Sequence, residues 1–224
     1  MNFPNFPPEF VLVQIIVLFL GVGLHEYAHC KFADMAGDPT PSYYGRVTLN
    51  LTKHFETTGV VMMFISTMSG YGIGWGKPAP VNGAKMRNPR SDLFIAVIAG
   101  PLSNALQAAI YALGLRLLLA SGSRFEDPYF GHPDFLMRLC SIGVLTNLGL
   151  AIFNLIPFGP LDGHWLLGLL MPEKPRYYWF KFNRGVGRFG LIGAILLMQV
   201  LHIQLLGPPI WHLFSLLTGI QLDL

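Results

Sequence analysis

Charge is what this sequence has least of. Only 12% of its 224 residues are Asp, Glu, Lys or Arg, against about a quarter in an ordinary soluble domain, and this excludes a water-facing surface over most of the chain. Cysteine is scarce as well. Cys30 and Cys140 are the only two; both fall in apolar stretches without motif spacing, so neither a disulfide framework nor a cysteine zinc site is supported. No basic stripe exists, because the net charge of +3 is spread between apolar blocks, a pattern of membrane topology rather than of nucleic-acid binding. Internal repeats and low-complexity tracts are missing. Met1 to Glu9 has no positive residue and no small-residue cleavage pattern follows the first apolar run, so a removed signal peptide is not expected.

What fills the chain instead is apolar sequence, 52% of residues, with a mean hydropathy of +0.48. It is gathered into blocks long enough to cross a bilayer. The expected fold is an all-α polytopic membrane protein, one domain over residues 1–224, with about five to six apolar helical segments, a short membrane-associated β-hairpin and a re-entrant segment. Phe10 to about Ala33 reads as a spanning helix ended by Gly37-Asp38-Pro39. Tyr43 to Leu51 alternates, with Val47, Leu49 and Leu51 on one side and Arg46, Thr48 and Asn50 on the other, as in a strand or hairpin. Thr58 to Ile73 is apolar but rich in Gly, Ser and Met, and Pro78 and Pro80 force extended backbone after it. Leu93 to Ala120 and Phe135 to Ile156 are long helices flanking a polar loop, Ser121 to Asp134. Leu166 to Met171 is a brief apolar turn, Glu173 to Arg188 is a basic and aromatic cluster suited to a membrane surface, Phe189 to Leu206 is another span, and Ile210 to Leu222 is a shorter apolar end.

Ionisable residues inside an apolar span are unfavourable and mark function. His25, Glu26 and His29 lie inside the first block as His-Glu-x-x-His. On a helix, positions four apart are about 40° and about 6 Å from each other, so both imidazoles reach one metal ion while Glu26 flanks the same face. Zinc held by two histidines and one carboxylate keeps a position open for water. The third ligand has to come from elsewhere, and Asp162 is the best candidate. The segment Asn154-Leu155-Ile156-Pro157-Phe158-Gly159-Pro160-Leu161-Asp162-Gly163 breaks a helix at membrane depth, where irregular backbone is tolerated only if buried in protein or lining a cavity. His164 is a rival ligand at this point. His54, Glu56, His132, His202 and His212 are more distant candidates, none with a partner at metal-ligand spacing. Cys30, Gly100-Pro101 and Asn104 read as helix packing, and Lys77 as a topology charge.

These residues together resemble the site-2 protease family of intramembrane zinc metalloproteases, in its compact prokaryotic form without PDZ or CBS domains. His25-Glu26-x-x-His29 resembles the family's metal helix; Asn154-x-x-Pro157 with Pro160-Leu161-Asp162-Gly163 resembles its second signature; Gly74 to Asn82 and Ala99 to Asn104 resemble further segments. The resemblance brackets residues 10–163 as the catalytic core, with C-terminal helices over 184–222. It implies one zinc ion held by His25, His29 and Asp162, Glu26 as general base, and Asn154 as a residue that positions substrate or steadies the oxyanion. It implies hydrolysis of peptide bonds within or next to transmembrane segments of protein or peptide substrates, with substrate added along the Tyr43–Leu51 edge and no nucleic-acid partner.

Topology adds a constraint, since ligands from two segments must meet at one side of the bilayer. Simple alternation fails this unless Thr58 to Ile73 re-enters. With re-entry, Lys31, Arg46, Lys53, Lys77, Lys85, Arg87, Arg90 and the basic residues of 174–188 share one face, the cytosolic one by the positive-inside rule. An integral protein of a prokaryotic cell membrane, its site toward the cytosol, is the expectation. Two other readings stay open: a silent zinc-binding scaffold, against which intact Glu26 argues, and a metal or solute transporter, which would need spaced polar residues along several long helices.

Overall fold

The computed structural model describes residues 6–68, 74–129, 131, 133–187 and 206–221. Its regular elements are helical: α1 (Pro8–Met35), α2 (Thr40–Tyr43), α3 (Thr57–Met68), α4 (Pro89–Ala120), α5 (Phe135–Asn154), α6 (Asp162–Leu170), α7 (Glu173–Phe182) and α8 (Gly207–Thr218). Short 3-10 turns fall at Leu51–His54 and Gly83–Lys85, and a wider turn follows α7 at Asn183–Gly187. α1, α4 and α5 are long and apolar enough to cross a bilayer, which marks the chain as a membrane protein. The expected span Phe189 to Leu206 lies outside the described residues over 189–205, as do His132 and His202.

The outward faces confirm which solvent the helices answer to. On α4, Ile95, Leu102, Leu106, Ile110, Leu113 and Leu117 are all exposed at helical spacing, while the inward stripe is small or polar: Ala96, Gly100, Asn104, Ala108, Ala112. That is the inverse of a soluble helix, and suits association in lipid, where close backbone approach replaces the hydrophobic drive. Gly143 of α5 shows how close: a Cβ there would lie 2.4 Å from the Tyr111 ring. Gly21 of α1 likewise abuts Leu150 and Asn147 of α5. Phe10, Val13 and Val17 of α1 pack on Ile142 of α5, and Phe214 of α8 fills the space between α4 and α5 among Ala108, Leu115 and Val144. Pro101 sits inside α4, buried against protein.

The expected hairpin over Tyr43–Leu51 does not form; among the described residues there is no strand. Side chains capture the backbone locally instead. The fully buried Asp38 carboxylate accepts from Thr40 N and Thr40 Oγ1 and starts α2. Gly45 follows in the left-handed region, φ 63°. Thr48 Oγ1 accepts from Asn50 N, Asn50 Oδ1 accepts from Thr52 Oγ1, and the Thr48 carbonyl accepts from the His54 ring. Short polar side chains bonding nearby main chain compete with a sheet ladder, and here they win over the alternating pattern.

α3 has 12 residues, about 18 Å of helix, too short alone for a hydrocarbon core of about 30 Å. The chain is back beside its start by Trp75, whose Nε1 donates to Glu56 and whose carbonyl lies against Gly59. From there residues 74–82 run without regular structure, as the prolines require, forming a strap that returns across α1.

Candidate metal centre

Two segments far apart in sequence build the site. His25 and His29 are buried on α1, one turn apart, their rings edge to face at 4.6 Å. Asp162 is the first residue of α6. It reaches α1 because Gly163 has no side chain: a Cβ there would stand 2.2 Å from the Leu155 carbonyl and 2.4 Å from that of Ile156, so only glycine lets α6 begin directly against the end of α5. Gly100 does the same for α4, since a Cβ at that position would lie 2.4 Å from His29 Cε1 and Nε2.

The three ligand atoms form a small triangle. His25 Nε2 and His29 Nε2 are 3.0 Å apart, and Asp162 Oδ2 lies 3.2 Å from the first and 3.4 Å from the second. Tetrahedral zinc with ligand bonds near 2.0–2.1 Å separates its ligands by about 3.3 Å, so the triangle fits one ion. The hydrogen bonds on the far sides of the rings tell which nitrogens face inward with lone pairs. His25 Nδ1 lies 2.7 Å from Asn104 Oδ1, and His29 Nδ1 lies 2.8 Å from the Ala96 carbonyl. Both partners accept, so both Nδ1 atoms donate and both Nε2 atoms are left as lone-pair donors to a metal. Asp162 Oδ2 is buried and accepts no hydrogen bond. Three electron-pair donors therefore converge on one point. A single proton would bridge only one pair; a divalent cation satisfies all three.

The orientation of Asn104 is itself fixed. Asn147 Nδ2 donates to the Gly143 carbonyl, which turns Asn147 Oδ1 toward Asn104; Asn104 Nδ2 donates to that oxygen and to the Gly21 carbonyl, each at 3.0 Å, which turns Asn104 Oδ1 toward His25. Both amides are fully buried. A directional chain thus runs from α5 through α4 to the imidazole on α1.

Glu26 lines the same cavity of about 620 Å³ as His25, His29, Asn154 and Asp162. Its Oε2 is buried without a hydrogen-bond partner, a basic atom left for a group that enters the cavity. Gly76 of the strap passes so near that a Cβ there would lie 2.8 Å from Glu26 Cγ. The strap is anchored by the buried Arg46, which donates to the carbonyls of Lys77 and Pro78, by Lys77 N donating to the His54 carbonyl, and by Asn82 N donating to Asp38.

Asn154 stands on the cavity wall at the end of α5, with Nδ2 donating back to the Leu150 carbonyl at 2.9 Å. The rival ligand His164 is not in the triangle. Its Nδ1 donates to the Leu161 carbonyl, its ring faces Trp165 and Phe180, and burial holds it below the ordinary imidazole value. His54 is spent on the Thr48 carbonyl, Glu56 on Trp75, and His212 is exposed on α8. Cys30 is buried packing. Asn147 and the bond from Asn104 to His25 escaped sequence reasoning; a polar amide in an apolar span, as Asn147 is, was the available signal.

An apolar helical bundle with a two-histidine, one-carboxylate group and a neighbouring glutamate fits a membrane protein with a metal site. No family model matches the chain, and no solved structure matches it significantly. A curated Bacillus subtilis (strain 168) protein, named "Putative zinc metalloprotease YwhC", is 33% identical over 175 residues, covering 78% of this chain and 76% of that protein. The chain belongs to the zinc metalloprotease family of that relative.

Proposed function

We propose that the protein is an intramembrane zinc protease of the site-2 type, which hydrolyses peptide bonds within or beside transmembrane segments of other membrane proteins or peptides. The observation that carries this is the convergence of three unshared donors, from His25, His29 and Asp162, beside the unpartnered Glu26 carboxylate in a cavity walled by spanning helices. One zinc ion held there would supply Lewis acidity and a water of lowered pKa. Glu26 takes the proton from the attacking water and returns it to the leaving amine. Asn154 offers its amide to the substrate carbonyl or the charge that develops on it.

Tyr43–Leu51 forms no strand among the described residues, so the reading sets an extended substrate beside residues 74–82, whose backbone lines the cavity. In this reading the site faces the cytosol of a prokaryotic cell; the cationic segments around Lys77–Arg90 and Lys174–Arg184 support that orientation under the positive-inside rule. Cleavage of a tagged single-span substrate by detergent-solubilised protein tests the reading. Cleavage is expected from the wild type, and neither from Glu26→Gln nor after zinc chelation; cleavage surviving Glu26→Gln would refute the mechanism.

A further inference from the structure

Asp162 sits on a short segment whose two ends are held by a helix the catalytic chemistry does not use. Three residues before it, Gly159 N donates to Asn183 Oδ1 at 2.9 Å; two residues after it, the His164 carbonyl accepts from Trp179 Nε1 at 2.7 Å. Asn183 is itself buried and fixed, its Nδ2 donating to the Trp179 carbonyl. α7 can reach this close because Gly168 faces it: a Cβ there would lie 2.6 Å from Phe180 and 2.8 Å from Trp179. The inner side of α7 and its C-cap is thus Trp179, Phe180 and Asn183, and the bonds it makes through Asn183 Oδ1 and Trp179 Nε1 go to main chain on either side of Asp162.

The opposite face carries Lys174, Tyr177, Tyr178 and Lys181, all exposed, with Phe182 at its margin and Arg184 beyond. Glu173, the helix's one acid, sits near Arg176 at 3.9 Å, so nothing on α7 balances the two lysines. The level of the helix is also given. Arg90, in the first turn of the spanning helix α4, donates to the carbonyls of Leu169 and Met171 just before α7. α7 therefore begins level with the first turn of α4, the polar end of a helix long enough to span. Tyrosine rings with lysines at that level match the headgroup layer, rings among the glycerols and ammonium groups at the phosphates.

We propose that α7 is a lipid-seated clamp: its outer face binds anionic headgroups, and its inner face, through Asn183 and Trp179, holds Asp162 in register with His25 and His29. This rests on the metal centre proposed above and adds to it a dependence on lipid charge. Each cation near an anionic surface is worth about fivefold in binding, which sets a ceiling of roughly thirtyfold for Lys174 and Lys181 together.

The test is zinc release from the whole protein in nanodiscs, read by a fluorescent chelator with no substrate present. Wild type is expected to release zinc several-fold more slowly in phosphatidylcholine containing phosphatidylglycerol than in phosphatidylcholine alone, and Lys174→Gln with Lys181→Gln to erase that difference. Asn183→Leu should release quickly in both lipids, while Asn183→Asp, which keeps the acceptor for Gly159 N, should stay near wild type. Equal wild-type rates in both lipids overturn the proposal, as does a lipid effect that survives the double lysine variant or Asn183→Leu. Failure of the cleavage assay beside an intact lipid effect would strike the protease reading alone; absence of zinc binding in every lipid would overturn both.

Discussion

Replacing Asn104 tests the orientation of the metal centre without touching a ligand. Asn104→Leu keeps the branching and the number of heavy atoms but removes the acceptor for His25 Nδ1 and the donor to Asn147 Oδ1 and the Gly21 carbonyl. Loss of an outer partner of a metal-bound histidine weakens metal affinity about 10–100-fold, equal to about 1.4–2.8 kcal/mol. Interhelical hydrogen bonds in membranes are worth about 0.6 kcal/mol on average, and three broken ones predict a stability loss of about 2 kcal/mol. Asn104→Asp separates the two effects. A carboxylate still accepts from His25 Nδ1, so zinc affinity should hold or rise, yet it faces Asn147 Oδ1 and the Gly21 carbonyl with no proton to give, so stability should fall at least as far. Competition against a calibrated zinc chelator reads the first quantity and thermal unfolding in detergent the second. If Asn104→Leu binds zinc within twofold of wild type, or if the two variants lose affinity equally, the directional amide chain is not what sets the imidazole.

Gly100→Ala should lose most bound zinc, because its Cβ would stand 2.4 Å from His29; Gly149→Ala, whose nearest neighbour would be Ile210 at 3.8 Å, serves as the control and should retain zinc, both read by metal analysis. Glu26→Gln should retain zinc while cleavage falls by about 10²–10⁴-fold, the usual contribution of a general base; a cleavage rate within tenfold of wild type would remove Glu26 from that role. Burial holds His54 below its ordinary value of 6.5, so the folded state resists its protonation: the stability is whole above about pH 6.5 and declines as pH falls below it. His54→Gln should therefore flatten the fall in melting temperature between about pH 7 and pH 5 relative to wild type.

The long helices were legible because lipid imposes one rule over many residues. Phe10 to Ala33 and Leu93 to Ala120 read as apolar runs, and the helices extend to Pro8–Met35 and Pro89–Ala120. The missing turn of α4 was hidden by polar residues: Pro89 opens the helix and Asp92 accepts from Asn88 N, a start signal that a hydropathy reading passes over. Tyr43–Leu51 misled for the opposite reason. Alternation is a property of side-chain polarity alone, and it says nothing of whether Asp38 and Thr48 will spend their oxygens on nearby main chain, or Asn50 its oxygen on the Thr52 hydroxyl.

The site divides along the same line between local and distant order. His25, Glu26 and His29 were legible because a helix fixes their spacing, and Asp162 because proline and glycine around it need a reason to sit at membrane depth. What no local pattern carries is the choice between Asp162 and His164, two residues apart on one helical turn. The structure places Asp162 at the triangle and turns His164 toward Trp165 and Phe180, and that direction is set by where α6 starts. The start depends in turn on Gly163 meeting the end of α5 and on Asn183 and Trp179 gripping the segment from α7. A candidate ligand that looks like one residue in the sequence is therefore positioned by contacts with two other helices. Shifting the start of α6 by one residue would turn Asp162 by about 100°, carrying its carboxylate away from both imidazoles, which is why the pegs on either side of Asp162 matter to the metal as much as the carboxylate does.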